Sequence, residues 1–142
     1  MKVCDLMSDR VVTVEQNEPV IAAARLLRQS NVGALPVCDN QRRLRGVLTD
    51  RDIVTRCVAA GADPQTTPIR EIMSRGVVTA GPFDEVEQAA RLMSGDQVRR
   101  LPVVSEGKLV GVLSLCDLAR NVNCDMEAAE ALSEISSNFR RL

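Results

Sequence analysis

Short β-branched runs alternate along the chain with stretches whose apolar residues recur at helical spacing, and each kind of segment predicts an element. Val11 to Val14 reads as a strand by composition. Pro19 suits the first turn of a helix in which Val20, Ala23, Ala24 and Leu27 share a face. Ala34 to Cys38 and Leu44 to Leu48 are apolar runs parted by the polar turn Asp39-Asn40-Gln41, which predicts two adjacent strands. Helical spacing returns from Asp50 to Ala60, and Gly61 suits the position just past that helix. The same order recurs over Val77 to Thr79, Asp84 to Met93, Leu101 to Val104, Leu109 to Leu113 and a helix beginning at Ser114. Between the two series, Thr66-Thr67-Pro68 marks a junction, with Thr67 placed to cap a helix and Pro68 at its first position. Beyond them, Met126, Ala129, Leu132, Ile135 and Phe139 predict one more helix, capped by Asp125, whose apolar stripe covers the core or joins dimer contacts.

The two series are one unit written twice. The shift that carries Met7-Ser8 onto Met73-Ser74 also carries Val11-Val12-Thr13 onto Val77-Val78-Thr79. It carries Ala23-Ala24-Arg25-Leu26 onto Ala89-Ala90-Arg91-Leu92, and Leu35-Pro36-Val37 onto Leu101-Pro102-Val103. With one residue dropped in the turn, Gly46-Val47-Leu48 meets Gly111-Val112-Leu113, and Asp52 meets Asp117. The predicted class is α/β (α+β), with a β-α-β-β-α repeat over 1–62, a second over 63–122, and a helical extension over 123–142. A half of this size buries only about 60% of its unfolded surface on its own, so the halves are expected to pack together.

Composition narrows the functions available. The 18 Lys and Arg nearly balance 19 Asp and Glu, for a net charge of -1, which gives no reason to expect nucleic acid or an acidic membrane as partner. The apolar runs are too short to span a bilayer, and the first residues lack the apolar stretch of a secretory signal, so a cytoplasmic address is expected. Five dispersed cysteines fit buried, reduced thiols better than a disulfide framework. There is no histidine, which removes the commonest general base and metal ligand. Two phenylalanines are the only aromatics, too few for a base-stacking platform. An enzyme is therefore the poorest reading.

The chemistry concentrates in Gly46-Val47-Leu48-Thr49-Asp50-Arg51-Asp52 and its echo Gly111-Val112-Leu113-Ser114-Leu115-Cys116-Asp117. Each places a hydroxyl and, three residues on, an aspartate at a strand-to-helix turn. Two readings stand side by side. Thr/Ser-x-x-Asp is a capping box, which satisfies free amides at a helix start without any ligand. The same turn offers a hydroxyl and amides to a phosphate, and a carboxylate that accepts both hydrogens of a ribose diol.

With Met7-Ser8, Val12-Thr13, Leu35-Pro36-Val37 and Gly46-x-x-Thr49-x-x-Asp52 in this order, and the set repeated, the chain resembles a tandem pair of CBS domains, over roughly Val3 to Arg56 and Ile69 to Arg120. It is similar to stand-alone bacterial CBS-pair proteins, where Thr-Asp-Arg-Asp-Ile is a frequent form of the motif. The resemblance implies two repeats packed sheet to sheet about a pseudo-two-fold axis, clefts between them that take AMP, ADP, ATP or S-adenosylmethionine, and a homodimer. It assigns Thr49 and Ser114 to phosphate, Asp52 and Asp117 to ribose, and Val12, Thr13, Val78 and Thr79 to the base pocket, with Leu35, Pro36, Leu101 and Pro102 beside it. Arg99 and Arg100 stand where nucleotide-binding relatives carry a basic pair, whereas Gly33-Ala34 takes that place in the first repeat. By the rule of those relatives, Arg99 and Arg100 serve the cleft of Asp52. The implied function is a non-catalytic sensor, with the adenosine compound as regulatory ligand rather than cofactor. The competing reading is a ligand-free dimeric scaffold for partner proteins.

Overall fold

The computed structural model describes residues 1–121 and 125–136. It is a mixed α+β fold with two small sheets. The elements run α1 (Val3–Leu6), β1 (Val14–Glu15), α2 (Val20–Ser30), β2 (Ala34–Cys38), β3 (Leu44–Thr49), α3 (Asp50–Asp52) continued by a π-helical turn (Ile53–Val58), and a 3-10 turn (Ile69–Glu71). Then follow α4 (Val86–Asp96), β4 (Arg100–Ser105), β5 (Lys108–Ser114), α5 (Leu115–Ala119) and α6 (Asp125–Ser136). No described helix is long and apolar enough to cross a membrane.

Two compact units divide the chain. One comprises Val12–Val77 with Gly107–Leu109. Its sheet has the order β1-β2-β3, β1 parallel to β2 and β2 antiparallel to β3, with Leu35 opposite Leu48. Val20, Ala23 and Leu27 from α2 close over Leu35, Val37 and Leu48, and Cys57, Ile69, Ile72 and Met73 complete the core. Burying each such aliphatic side chain contributes about 1.5–3 kcal/mol. The other unit comprises Met1–Val11, Val78–Glu106 and Val110–Leu142. There Val86, Ala89, Ala90 and Met93 of α4 pack with Leu101, Val103, Leu113 and Leu118, and with Val3 from the start of the chain.

These units are not cut where the sequence repeats are cut. The Met-Ser pair that opens each repeat leaves it. Ser74 and Val47 exchange both backbone hydrogen bonds (2.9 and 3.0 Å), and so do Ser8 and Val112 (2.9 Å each). Gly46 and Gly111 are glycines for this reason: a Cβ on Gly46 would stand 2.5 Å from the Ser74 carbonyl oxygen, and one on Gly111 2.6 Å from the Met7 sulfur.

Several expected elements differ. The strand Val11 to Val14 shrinks to Val14–Glu15, and its second-repeat counterpart to a single parallel bridge, Ala80 with Val103. The prolines of the Leu-Pro-Val motif account for both. Ala80 donates to the Pro102 carbonyl, but Pro102 has no N–H to return to Val78, and Pro36 stands in the same relation to Val12. The helix from Asp50 is α-helical only through Asp52 and then widens into the π turn, with Ala59 N–H donating to the Val54 carbonyl at 2.8 Å. Pro68 is an extended cap rather than the first helical residue, and Pro19 caps α2 instead of standing in its first turn. Thr67 serves α2 through its carbonyl, which accepts from Val20 N–H at 2.9 Å, rather than capping with its side chain. On α6 the buried stripe is Ala128, Ala131 and Ile135, so Ala129 and Leu132 lie outside it and are exposed. The expected Asp125 cap, the Met126 side chain and Phe139 lie outside what is described.

Candidate functional site

β3 and β5 both end on a hydroxyl residue in extended conformation, Thr49 at φ -109°, ψ 161° and Ser114 at φ -108°, ψ 159°. Extended backbone immediately before a helix aims the side-chain oxygen back at the third amide. Asp52 N–H donates to Thr49 Oγ1 at 3.0 Å, and Thr49 N–H donates to Asp52 Oδ2 at 3.0 Å. In the second repeat, Asp117 N–H donates to Ser114 Oγ at 3.0 Å, and Ser114 N–H to Asp117 Oδ2 at 2.8 Å. Both motifs are thus complete capping boxes.

Capping uses only one carboxylate oxygen in each case. Asp52 Oδ1 faces Arg56 Nε at 3.8 Å, and Asp117 Oδ1 faces Arg120 Nη1 at 3.8 Å, both beyond hydrogen-bond length. A carboxylate offers about four lone-pair sites, so each aspartate keeps acceptor capacity for a diol while holding its turn. Asp52 is only 8% exposed, the one charged residue buried among those described. Burial of a carboxylate is tolerated here because the Thr49 amide and the Arg56 cation face it. Arg56 also donates to the carbonyls of Ile72 (3.1 Å) and Met73 (3.4 Å), tying the turn to the segment that carries Ser74.

The other assigned residues divide by exposure. Leu35 and Leu101 are fully buried core side chains, Pro102 is buried and Pro36 half-buried. Val12 and Thr79 are exposed, Thr13 and Val78 half-buried. Because β1 is cut short, Val12, Thr13, Val78 and Thr79 carry no backbone hydrogen bond among the described residues, leaving their amides and carbonyls open to a partner.

Arg99 and Arg100 lie beside Ser114, because Leu115 N–H donates to the Arg99 carbonyl at 2.8 Å. With Ser114, Leu115 and Cys116 they line a solvent-open cavity of about 520 Å³, bordered on another side by Ala119, Ala128, Ala129 and Leu132. Neither guanidinium has a hydrogen-bond or ion-pair partner among the described residues. The sequence reading missed the contribution of α6 and of Cys116. Its signal was an apolar set on α6 too wide for a single stripe, running Ala128, Ala129, Ala131, Leu132. The expectation of buried thiols holds for Cys38 and Cys57, whereas Cys116 is exposed and Cys4 half-buried; Cys124 is not described.

A family model described as "CBS domain" matches residues 3–59 and again 69–124. The CBS domain-containing protein YhcV of Bacillus subtilis is 46% identical over 132 residues, covering 93% of this chain and 93% of its own. The crystal structure of Hypoxic Response Protein I with two coordinated zinc ions matches at TM-score 0.79 and 38% identity, over 86% of this chain and 99% of that one. Among the described residues no group of three or more Cys, Asp or Glu stands together as a metal site would require. CBSX2 in complex with AMP matches at TM-score 0.73 and 29% identity, over 84% and 93% of the two chains. The CBS domain pair of protein MJ0100 with methylthioadenosine and S-adenosylmethionine matches at 0.72 and 30%, over 84% and 94%.

Proposed function

Because the chain belongs to the CBS-domain family and carries two CBS domains, we propose that it is a non-catalytic, cytoplasmic regulatory module that binds an adenosine-type ligand (AMP, ADP, ATP or S-adenosylmethionine) and works as a homodimer. The observation that carries this reading is the pair of matched turns. In both repeats the hydroxyl and one carboxylate oxygen build the turn, and the second oxygen, Asp52 Oδ1 or Asp117 Oδ1, is left without a hydrogen bond among the described residues. That oxygen accepts from the ribose, Thr49 and Ser114 approach phosphate, and Arg99 with Arg100 supplies the cations. The open backbone of Val12, Thr13, Val78 and Thr79 meets the base, with Pro36 and Pro102 behind it. Two solved neighbours bound to AMP, or to methylthioadenosine and S-adenosylmethionine, support the ligand class.

A second reading has its own observation. Both capping boxes are complete without a ligand, as a scaffold that only joins partner chains would require. Titration calorimetry with AMP, ADP, ATP and S-adenosylmethionine separates the two. A sensor gives saturable heat that Asp52→Asn and Asp117→Asn reduce, since Asn keeps a capping oxygen but loses the charge. A scaffold gives none.

A further inference from the structure

The cavity beside Ser114 has two unlike walls. On one, Arg99 and Arg100 present cations without partners among the described residues. On the other, α6 presents apolar side chains, with Leu132 left 47% exposed. The helix itself is well anchored. It packs on α4 and α5, and Ala128, Ala131 and Ile135 belong to the core of that unit. The position of Leu132 is therefore fixed by a stripe it does not belong to. A volume of about 520 Å³ falls within the range of small-molecule sites, about 300–1,000 Å³, which combine an apolar lining with a few convergent polar groups.

We propose that α6 is a wall of the ligand site, with Ala129 and Leu132 as specificity-determining side chains. On this proposal the cavity takes the phosphate end of a nucleotide on Arg99 and Arg100 while the apolar side chains of α6 pack against the ligand, and filling it fastens α6 to its unit. The inference rests on the reading of Ser114 as the phosphate-side residue of a nucleotide site and deepens it in two ways. It gives the basic pair to the same repeat as Ser114, where the resemblance alone gives it to Asp52. It also favours phosphorylated ligands over S-adenosylmethionine, which has no phosphate and whose single carboxylate is outweighed by its sulfonium and ammonium.

The test titrates the full chain with AMP in an Asp52→Asn background, which isolates the Ser114 site, and follows backbone hydrogen exchange across α6 in the same samples. Arg99→Ala/Arg100→Ala is expected to weaken AMP binding by about tenfold or more, by removing charge-assisted hydrogen bonds. Ala129→Leu, which fills the cavity, is expected to do the same, and Leu132→Gln to weaken binding several-fold. Both positions are exposed, so the fold survives these changes. AMP is expected to slow α6 exchange. If the arginine variant loses affinity while Ala129→Leu and Leu132→Gln bind normally and α6 exchange does not change, the role of α6 is overturned and the nucleotide site stands. If AMP does not bind, or binds without regard to Arg99 and Arg100, the site itself is overturned and α6 with it.

Discussion

Ser74 exchanges both backbone hydrogen bonds with Val47, although the sequence places Ser74 at the head of the second repeat and Val47 inside the first. Ser8 and Val112 repeat the relationship in the other unit. Each repeat thus lends its opening residues to the unit built around its twin, so neither can be removed without opening an edge of the other. The glycines opposite the serines make this approach possible.

Gly46→Ala and Gly111→Ala should each cost about 1–3 kcal/mol, because the added carbon has no room beside backbone and a methionine sulfur. Gly95→Ala should do the opposite. It lies within α4 with nothing within 4 Å of its added carbon, so the change should stabilise by about 0.5–1 kcal/mol. Thermal denaturation of the three variants checks both signs.

Much of this was legible in the sequence, and the misses have causes. Ala34–Cys38 has the bounds its apolar run predicted, and Thr49-x-x-Asp52 folds as a capping box. Local patterning suffices where an element is defined by its own residues. It fails where a partner decides. Val11–Thr13 has strand composition but meets a proline across the ladder. On α6 the choice between two equally spaced apolar stripes is made by α4 and α5, not by α6. That Gly46 faces Ser74 is invisible locally, since the two are brought together only by tertiary folding.

The N-terminal segment is held electrostatically as well. Lys2 and the terminal amine both pair with Glu85. The hydrogen bond from Lys2, and then its charge, hold the Glu85 carboxyl below its ordinary value of 4.5. A depressed folded-state value contributes stability at pH above the ordinary value and loses it as pH falls through the folded one. Wild type should therefore exceed Glu85→Gln in melting temperature at neutral pH, and the two should converge in acid as pH falls through the depressed folded-state value. A constant gap across that range would show that the pair contributes nothing through its charge.

Thiol chemistry should separate the cysteines. Burial pushes the Cys38 thiol above its ordinary value, and Cys57 is buried with its Sγ against the Ala62 carbonyl at 3.5 Å. Cys116 is exposed in the cavity wall. In a Cys4→Ser/Cys124→Ser background, a thiol reagent should modify one group quickly and two slowly, with AMP protecting the fast one.

A homodimer is expected from apolar surface left uncovered in the single chain. Of the residues expected on that surface, Leu27 and Met93 are instead buried in the cores and Ile21, Leu26 and Leu92 are half-buried, while Val54 and Val58 are exposed one turn apart. Light scattering at micromolar concentration should give twice the chain mass of 15.5 kDa. A monomer under those conditions contradicts it.

If the paired Thr/Ser-x-x-Asp turns bind an adenosine compound, that compound raises the melting temperature of the chain. At about 100 times its dissociation constant a ligand that binds only the folded chain adds about 2.7 kcal/mol of stability. For a chain of this length that corresponds to a rise in melting temperature of several degrees, about 3 °C per kcal/mol. Such a rise is expected with at least one of AMP, ADP, ATP or S-adenosylmethionine, reduced in both Asp52→Asn and Asp117→Asn. No rise with any of the four at millimolar concentration contradicts it and leaves the scaffold.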